Sequence, residues 1–134
     1  MRVARLALPL LAAVLGGCAS LETACPAGRT QAASDTLYFG TARPAGEVTP
    51  AEWDEFLRDA VTPRFPEGLT AWRASGQWRS ADGRIVREGS YVLSVVHPDS
   101  GKADAAIRAI AEEYKARFRQ EAVLRVTSPA CVSY

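Results

Sequence analysis

The stretch LTAWRASGQWRSADGRIVREGSYVLSVV, residues 69–96, decides the fold. Two β-rich runs flank Ser80-Ala81-Asp82-Gly83, and Asp-Gly favours the positive φ that tight hairpin turns need. The two runs are therefore expected to pair antiparallel. The first, residues 69–79, is weakened by Gly76. The second runs from Arg84 or Ile85 to Val96, and Arg87-Glu88-Gly89 interrupts it where a bulge is expected. From Tyr91 onward the chain is apolar on both faces of the strand, which a face washed by solvent does not require.

Working outward from the hairpin, residues 36–42 (TLYFGTA) read as an earlier strand, ended by Pro44-Ala45-Gly46. A helix follows with a full set of start signals. Thr49 can cap, Pro50 suits the first helical position and Glu52 can reach back to close a capping box, with Val48 and Trp53 placed as a hydrophobic staple. Trp53, Phe56, Leu57, Ala60 and Val61 share one face, and Pro63 ends the helix before the stiff loop at residues 64–68. Beyond the hairpin, Pro98-Asp99-Ser100 marks the strand exit and caps a second helix. Its apolar face is Ala103, Ala106, Ile107, Ile110, Ala111, Tyr114 and Phe118, and Glu113 and Arg117 are spaced to pair on the other side. A last strand, residues 122–127, leads to Pro129 and Cys131. The order β-α-β-β-α-β, with each helix apolar on one side only, predicts an α+β fold. In this ferredoxin-like plan, two helices cover one face of an antiparallel four-stranded sheet. The other sheet face is left open, and a homodimer formed through it is the expected cover.

The N-terminus carries an address. Arg2 and Arg5 precede an apolar run, Leu6 to Val14, of signal-peptide length and too short for a permanent bilayer span. Leu15-Gly16-Gly17-Cys18 looks like a bacterial lipobox, so residues 1–17 are expected to be a lipoprotein signal peptide and Cys18 the lipidation site. More than one acyl chain on Cys18 would hold the protein stably to a membrane. Ala19 and Ser20 bring no Asp after the Cys, so the expected place is the bacterial cell envelope, at the outer membrane facing the periplasm. Residues 18–34, without a periodic apolar face, read as a lipidated tether, and residues 35–134 as a single α+β domain.

The 134 residues carry 16 basic and 15 acidic side chains; removing the leader takes two Arg and no acid, leaving 14 against 15. No basic stripe remains to favour nucleic acid. Cys25 and Cys131 flank the mature domain, and in an oxidising compartment such a pair reads as a disulfide. A redox-active pair or two free thiols are the alternatives, and neither has Cys-x-x-Cys spacing behind it. Two such sulfurs and the single His97 cannot build a zinc shell, so no metal and no cofactor is expected.

Leu37-Tyr38-Phe39-Gly40, Trp53 with Phe56, Thr62-Pro63-Arg64-Phe65-Pro66, Gly68-Leu69-Thr70 and Gly76-Gln77-Trp78 form a recognisable series. It continues through Gly83, Ile85, Arg87-Glu88 and Ser90, then Tyr114-Lys115, Arg117-Phe118 and Gln120, and ends on Ser128-Pro129-Ala130-Cys131. The chain resembles the bacterial family catalogued as domain of unknown function 3574, small exported proteins that often carry a lipobox. The resemblance covers nearly all of the mature chain and implies an exported single domain, with no activity or catalytic residue to carry over.

Arg64, Gln77, Trp78, Arg87 and Glu88, with Arg84, are the candidate ligand-binding residues around the hairpin. Two guanidinium groups and an aromatic plane suit a carboxylate or phosphate; the competing reading is a structural ion pair of Arg64 or Arg87 with Glu88. His97 has no Ser, Cys or acid in a recognisable triad order, so no catalytic residue is assigned. Trp53, Phe56, Tyr114 and Phe118 read as core by their helical spacing, whereas Trp72 and Trp78, six apart, share one strand face by period two. The expected function is a binding or assembly module rather than an enzyme. The alternative is a small cofactor-independent enzyme with an Arg/Glu site for a small organic anion.

Overall fold

The computed structural model describes residues 24–134; the leader, Cys18 and the start of the expected tether lie outside the described residues. The elements are β1 (Thr30–Gly40), α1 (Pro50–Phe56, continued by a π-helical turn at Leu57–Val61), β2 (Thr70–Arg79), β3 (Ile85–His97), α2 (Gly101–Phe118) and β4 (Val123–Val132). A two-residue ladder, Ala42–Arg43 with Gly46–Glu47, sits between β1 and α1. The four strands form one antiparallel sheet in the order β2-β3-β1-β4, and both helices bury their apolar sides against the same face. This is the ferredoxin-like plan.

The hairpin turns at Gly83, with φ +86° and its N–H donating to the Ser80 carbonyl at 2.8 Å. The bulge expected at residues 87–89 is absent: β2 and β3 pair without a skipped residue from Thr70↔Ser94 to Arg79↔Ile85. Gly89 meets a different need, close approach. The backbone N–H and the hydroxyl of Thr41 both donate to the Gly89 carbonyl, at 3.1 and 2.8 Å, and a Cβ on Gly89 would stand 3.1 Å from Thr41 Oγ1.

β1 begins at Thr30, six residues before the expected start, so residues 30–34 are strand rather than tether. Ala32 and Ala33 are buried there, but they are too small to print the alternation of large and polar residues that marks a strand. The longer β1 gives β4 partners beyond Thr127, from Ser34↔Ser128 to Thr30↔Val132. Pro129 is accommodated because β4 is an edge strand, where a missing N–H costs little.

Helix α1 starts as the sequence predicts. Thr49 Oγ1 accepts from the Glu52 N–H at 3.3 Å, and Glu52 Oε2 accepts from the Thr49 N–H at 2.9 Å. That backbone hydrogen bond, with a second carboxylate contact to Arg43 at 2.8 Å, holds the Glu52 carboxyl down to about 2. Ser100 caps α2 through the Ala103 N–H at 3.2 Å. The predicted Glu113–Arg117 pair does not form. Each residue reaches across to the other helix region instead: Glu113 pairs with Arg64 at 3.0 Å and Arg117 with Glu55 at 2.8 Å. These cross-links tie α2 to α1 and the loop after it, a choice open to the side chains only once the helices lie side by side.

The helical aromatics form the core. Trp53 stacks on Tyr91 at 4.5 Å with an interplanar angle of 4°, and Tyr114 meets Phe39 edge-on at 4.6 Å. Burial pushes the Tyr114 phenol up, with Tyr91 and Glu88 nearby adding to the effect, so it stays protonated and donates to the Gly40 carbonyl at 2.8 Å. The Tyr91 hydroxyl is buried without a hydrogen-bond partner among the described residues. Tyr91→Phe removes that unpaired group while keeping the stacked ring. It should raise the urea unfolding midpoint by the equivalent of about 1 kcal/mol, whereas a paired hydroxyl would lower it.

Candidate functional site

Side chains alternate along each strand, and the register fixes which positions share a face. The charges sort themselves by parity. Asp35, Arg73, Arg79, Arg87 and Arg125 occupy odd positions on the helix side, and Glu88 is the one charged residue at an even position on the open face. Across the middle of that face Trp72, Val92, Tyr38 and Leu124 form a single cross-strand row, one residue from each strand. Val92 is covered by its neighbours, while Trp72, Tyr38 and Leu124 are 46%, 41% and 62% exposed. Val96, Val126 and Trp78 extend the exposed apolar surface.

At the Gly40 end of this face lies a groove of about 280 Å³, lined in part by Tyr38, Trp78, Glu88, Ser90, Gln120 and Glu121. The backbone of one residue, Ala42, anchors two of its lining side chains. Glu88 Oε2 accepts from the Ala42 N–H at 2.6 Å, and Gln120 Nε2 donates to the Ala42 carbonyl at 2.7 Å. Both side chains are thereby held over Gly40. A Cβ on Gly40 would lie 2.8 Å from Glu88 Oε1 and 3.1 Å from Gln120 Oε1, so only glycine leaves room for the two oxygens to converge. Gln77 also lines the groove, with its side-chain oxygen accepting from Arg87 Nε at 3.4 Å.

Of the residues singled out from the sequence, Gln77, Trp78 and Glu88 come together here; Arg64 and Arg87 do not. Arg64 bonds the Ala60 carbonyl and Glu113 beside the helices. Arg87 points to the helix side of the sheet, where period-two alternation puts it, and Arg84 pairs with Asp82 at 2.6 Å. The expected Arg–Glu88 ion pair is therefore not made; the backbone N–H of Ala42 takes that place. Gln120 and Glu121 were missed by sequence reading. They follow Arg119, whose left-handed conformation (φ 55°) ends α2, and that tight exit aims them at the groove.

A second polar cluster is buried on the helix side. His97 Nε2 contacts Asp35 Oδ2 at 2.8 Å; Arg125 clamps the same carboxylate through Nε and a terminal nitrogen at 2.8 and 2.7 Å. Thr127 donates its hydroxyl to Asp35, and Arg125 also reaches Asp104 at 2.6 Å. Burial alone would raise the Asp35 carboxyl, but hydrogen bonds from Arg125, Thr127 and His97 outweigh it and hold the group at about 2. Asp35 is fully buried, Phe65 packs at 5.5 Å from the His97 ring, and the cluster does not line the groove. It ties β1, β3, β4 and α2 together.

Cys25 and Cys131 are joined in a disulfide, their Cα atoms 5.5 Å apart. No cluster of three His, Cys, Asp or Glu side chains suited to a metal occurs among the described residues. The family model described as "Protein of unknown function (DUF3574)" matches residues 34–134. The chain belongs to this family. No curated protein matches it. Among solved structures, a phage SAM lyase in complex with S-methyl-5'-thioadenosine superposes with a TM-score of 0.59 at 15% identity. That match covers 86% of this chain and 97% of the lyase. CutA from Synechococcus elongatus superposes at 0.55 with 14% identity, over 78% of this chain and 83% of that one. At such identities the likeness establishes the ferredoxin-like fold and nothing about activity.

Proposed function

We propose that this member of the family is an exported, lipid-anchored envelope protein that acts as an assembly module, its open sheet face closing on a second copy of the chain. The observation that carries the reading is the open face itself: an apolar row across all four strands with Glu88 as its one charge, and that charge tied to a backbone N–H. Exposed contiguous apolar surface of this kind marks an interaction site. A face whose central row carries no charge also matches itself without a clash there, as a two-fold contact demands.

The anchor reading rests on Leu15-Gly16-Gly17-Cys18, and the Cys25–Cys131 disulfide fits an oxidising compartment such as the periplasm. Cys25 precedes the start of β1, and the groove lies at its far end beside Gly40. At about 3.4 Å per residue, the 11 residues of β1 put most of the strand's length between the membrane tether and the groove.

Tryptophan emission tests the assembly reading. Trp53 is buried, while Trp72 and Trp78 are exposed in the single chain. A self-associated protein should shield Trp72, which lies in the apolar row, from iodide at high concentration and expose it on dilution, while Trp78 beside the groove stays accessible. Quenching that is strong and independent of concentration would refute the reading.

A further inference from the structure

We infer that the groove beside Gly40 is a binding site for a small organic ammonium ion with an apolar body. Glu88 Oε1 and Gln120 Oε1 converge over Gly40, within 2.8 and 3.1 Å of one point, and neither receives a hydrogen bond from a donor among the described residues. Their partner atoms, Glu88 Oε2 and Gln120 Nε2, are both spent on Ala42, so rotation to relieve the two free acceptors would break existing bonds. Two acceptors within reach of one point can share a donor placed there, and an ammonium group carries three N–H bonds and a positive charge.

The rest of the lining agrees. Glu121 adds a second carboxylate, and no basic side chain lines the groove. Tyr38 and Trp78 offer ring faces on which an apolar body can lie and towards which a cation is drawn. Arginines begin only in the adjoining cleft, at Arg43, which is already bound by Glu52 at 2.8 Å, and at Arg119. The volume, about 280 Å³, suits a ligand of metabolite size. The anion expected from Arg64 and Arg87 has no counterpart here, because neither arginine enters the groove.

The test is calorimetric titration of the oxidised chain from Ala19 onward, which retains every described residue, with phenethylammonium. Phenylpropionate and phenethyl alcohol serve as probes with the same body but a negative or no charge. Saturable binding of the ammonium with Kd below about 1 mM, and at least about tenfold weaker binding of both controls, is the expected result. Glu88→Gln and Trp78→Leu should each weaken binding about tenfold while melting within a few degrees of wild type; Trp78 is exposed, so its variant keeps the fold. Nα-acetyl-lysine amide, titrated alongside, separates a lysyl side chain from a free amine as the source of the cation. The titration is repeated on Trp72→Glu, outside the groove and expected to be a monomer, so failure of assembly and failure of this site are read separately. No saturable binding, equal binding of phenylpropionate, or unchanged affinity in Glu88→Gln overturns the assignment.

Discussion

Asp35→Ala should cost about 3–5 kcal/mol of stability, the penalty for leaving buried charge without its partner. The carboxylate is fully buried and accepts from Arg125, Thr127 and His97. Without it, Arg125 loses its bidentate clamp and keeps only Asp104, at 2.6 Å, while the His97 ring faces an empty site. In a domain of this size the loss is a drop in melting temperature of roughly 15 °C. The pH dependence gives a sharper check. The folded carboxyl sits at about 2 against 3.8 when free, so its contribution is complete above the free value and disappears as pH falls from about 4 to about 2. That pH-linked share is about 2.5 kcal/mol. Both proteins lose the share that Glu52 contributes over this range, but wild type should lose about 2.5 kcal/mol more than Asp35→Ala, so the two stability profiles should approach each other. Parallel acid profiles would show that the cluster does not hold the carboxylate as described.

Removing the disulfide should be the other large effect. The bridge closes a loop with a sequence separation of 106 residues, and constraint of the unfolded chain over such a span is worth about 4–5 kcal/mol. Cys25→Ser with Cys131→Ser should lower the denaturation midpoint accordingly and steepen the dependence on denaturant, because the unlinked unfolded chain exposes more surface. The structural effect should be local. The pairs next to the bridge, Thr30↔Val132, Gln31↔Cys131 and Ala32↔Ala130, form the outer end of the β1–β4 ladder and should exchange their amide protons first. The pairs near Tyr38↔Leu124 should keep their protection relative to global unfolding. An unchanged midpoint would mean that the ladder alone holds the chain ends.

What the sequence made legible was local chemistry and periodicity. The Thr49–Glu52 box, the Ser100 cap, the Gly83 turn and the helical apolar faces each lie within a few residues of chain, and all formed as read. The apolar open face was legible because Tyr38, Trp72 and Val92 obey period two. What escaped depended on register between distant strands. Asp35 stands opposite Thr127 and one row from Arg125, more than ninety residues along the chain from the former, and nothing local marks the three as partners. The same holds for Gln120, which meets Ala42 across 78 residues. The early start of β1 was hidden for a different reason: alanine and serine bury well between strands and carry almost no pattern.

The candidate site was half legible. Trp78 and Glu88 were found because they crowd one hairpin and share its even-numbered face, but Arg79 and Arg87 alternate to the other face, and that reverses the charge of the groove. Gln77 bonds Arg87 on that other face while still bordering the groove. A hairpin inspected as a cluster of residue types mixes its two faces; only a trusted register separates them.

Sedimentation velocity on the oxidised chain from Ala19 onward, over a hundredfold range of concentration, tests the central claim most directly. Wild type should sediment as a dimer that dissociates on dilution. Trp72→Glu, which sets a charge in the exposed apolar row without touching the buried core, should sediment as a folded monomer throughout. A wild-type chain that is monomeric at every concentration, or a Trp72→Glu chain that associates as wild type does, would contradict assembly through the open face.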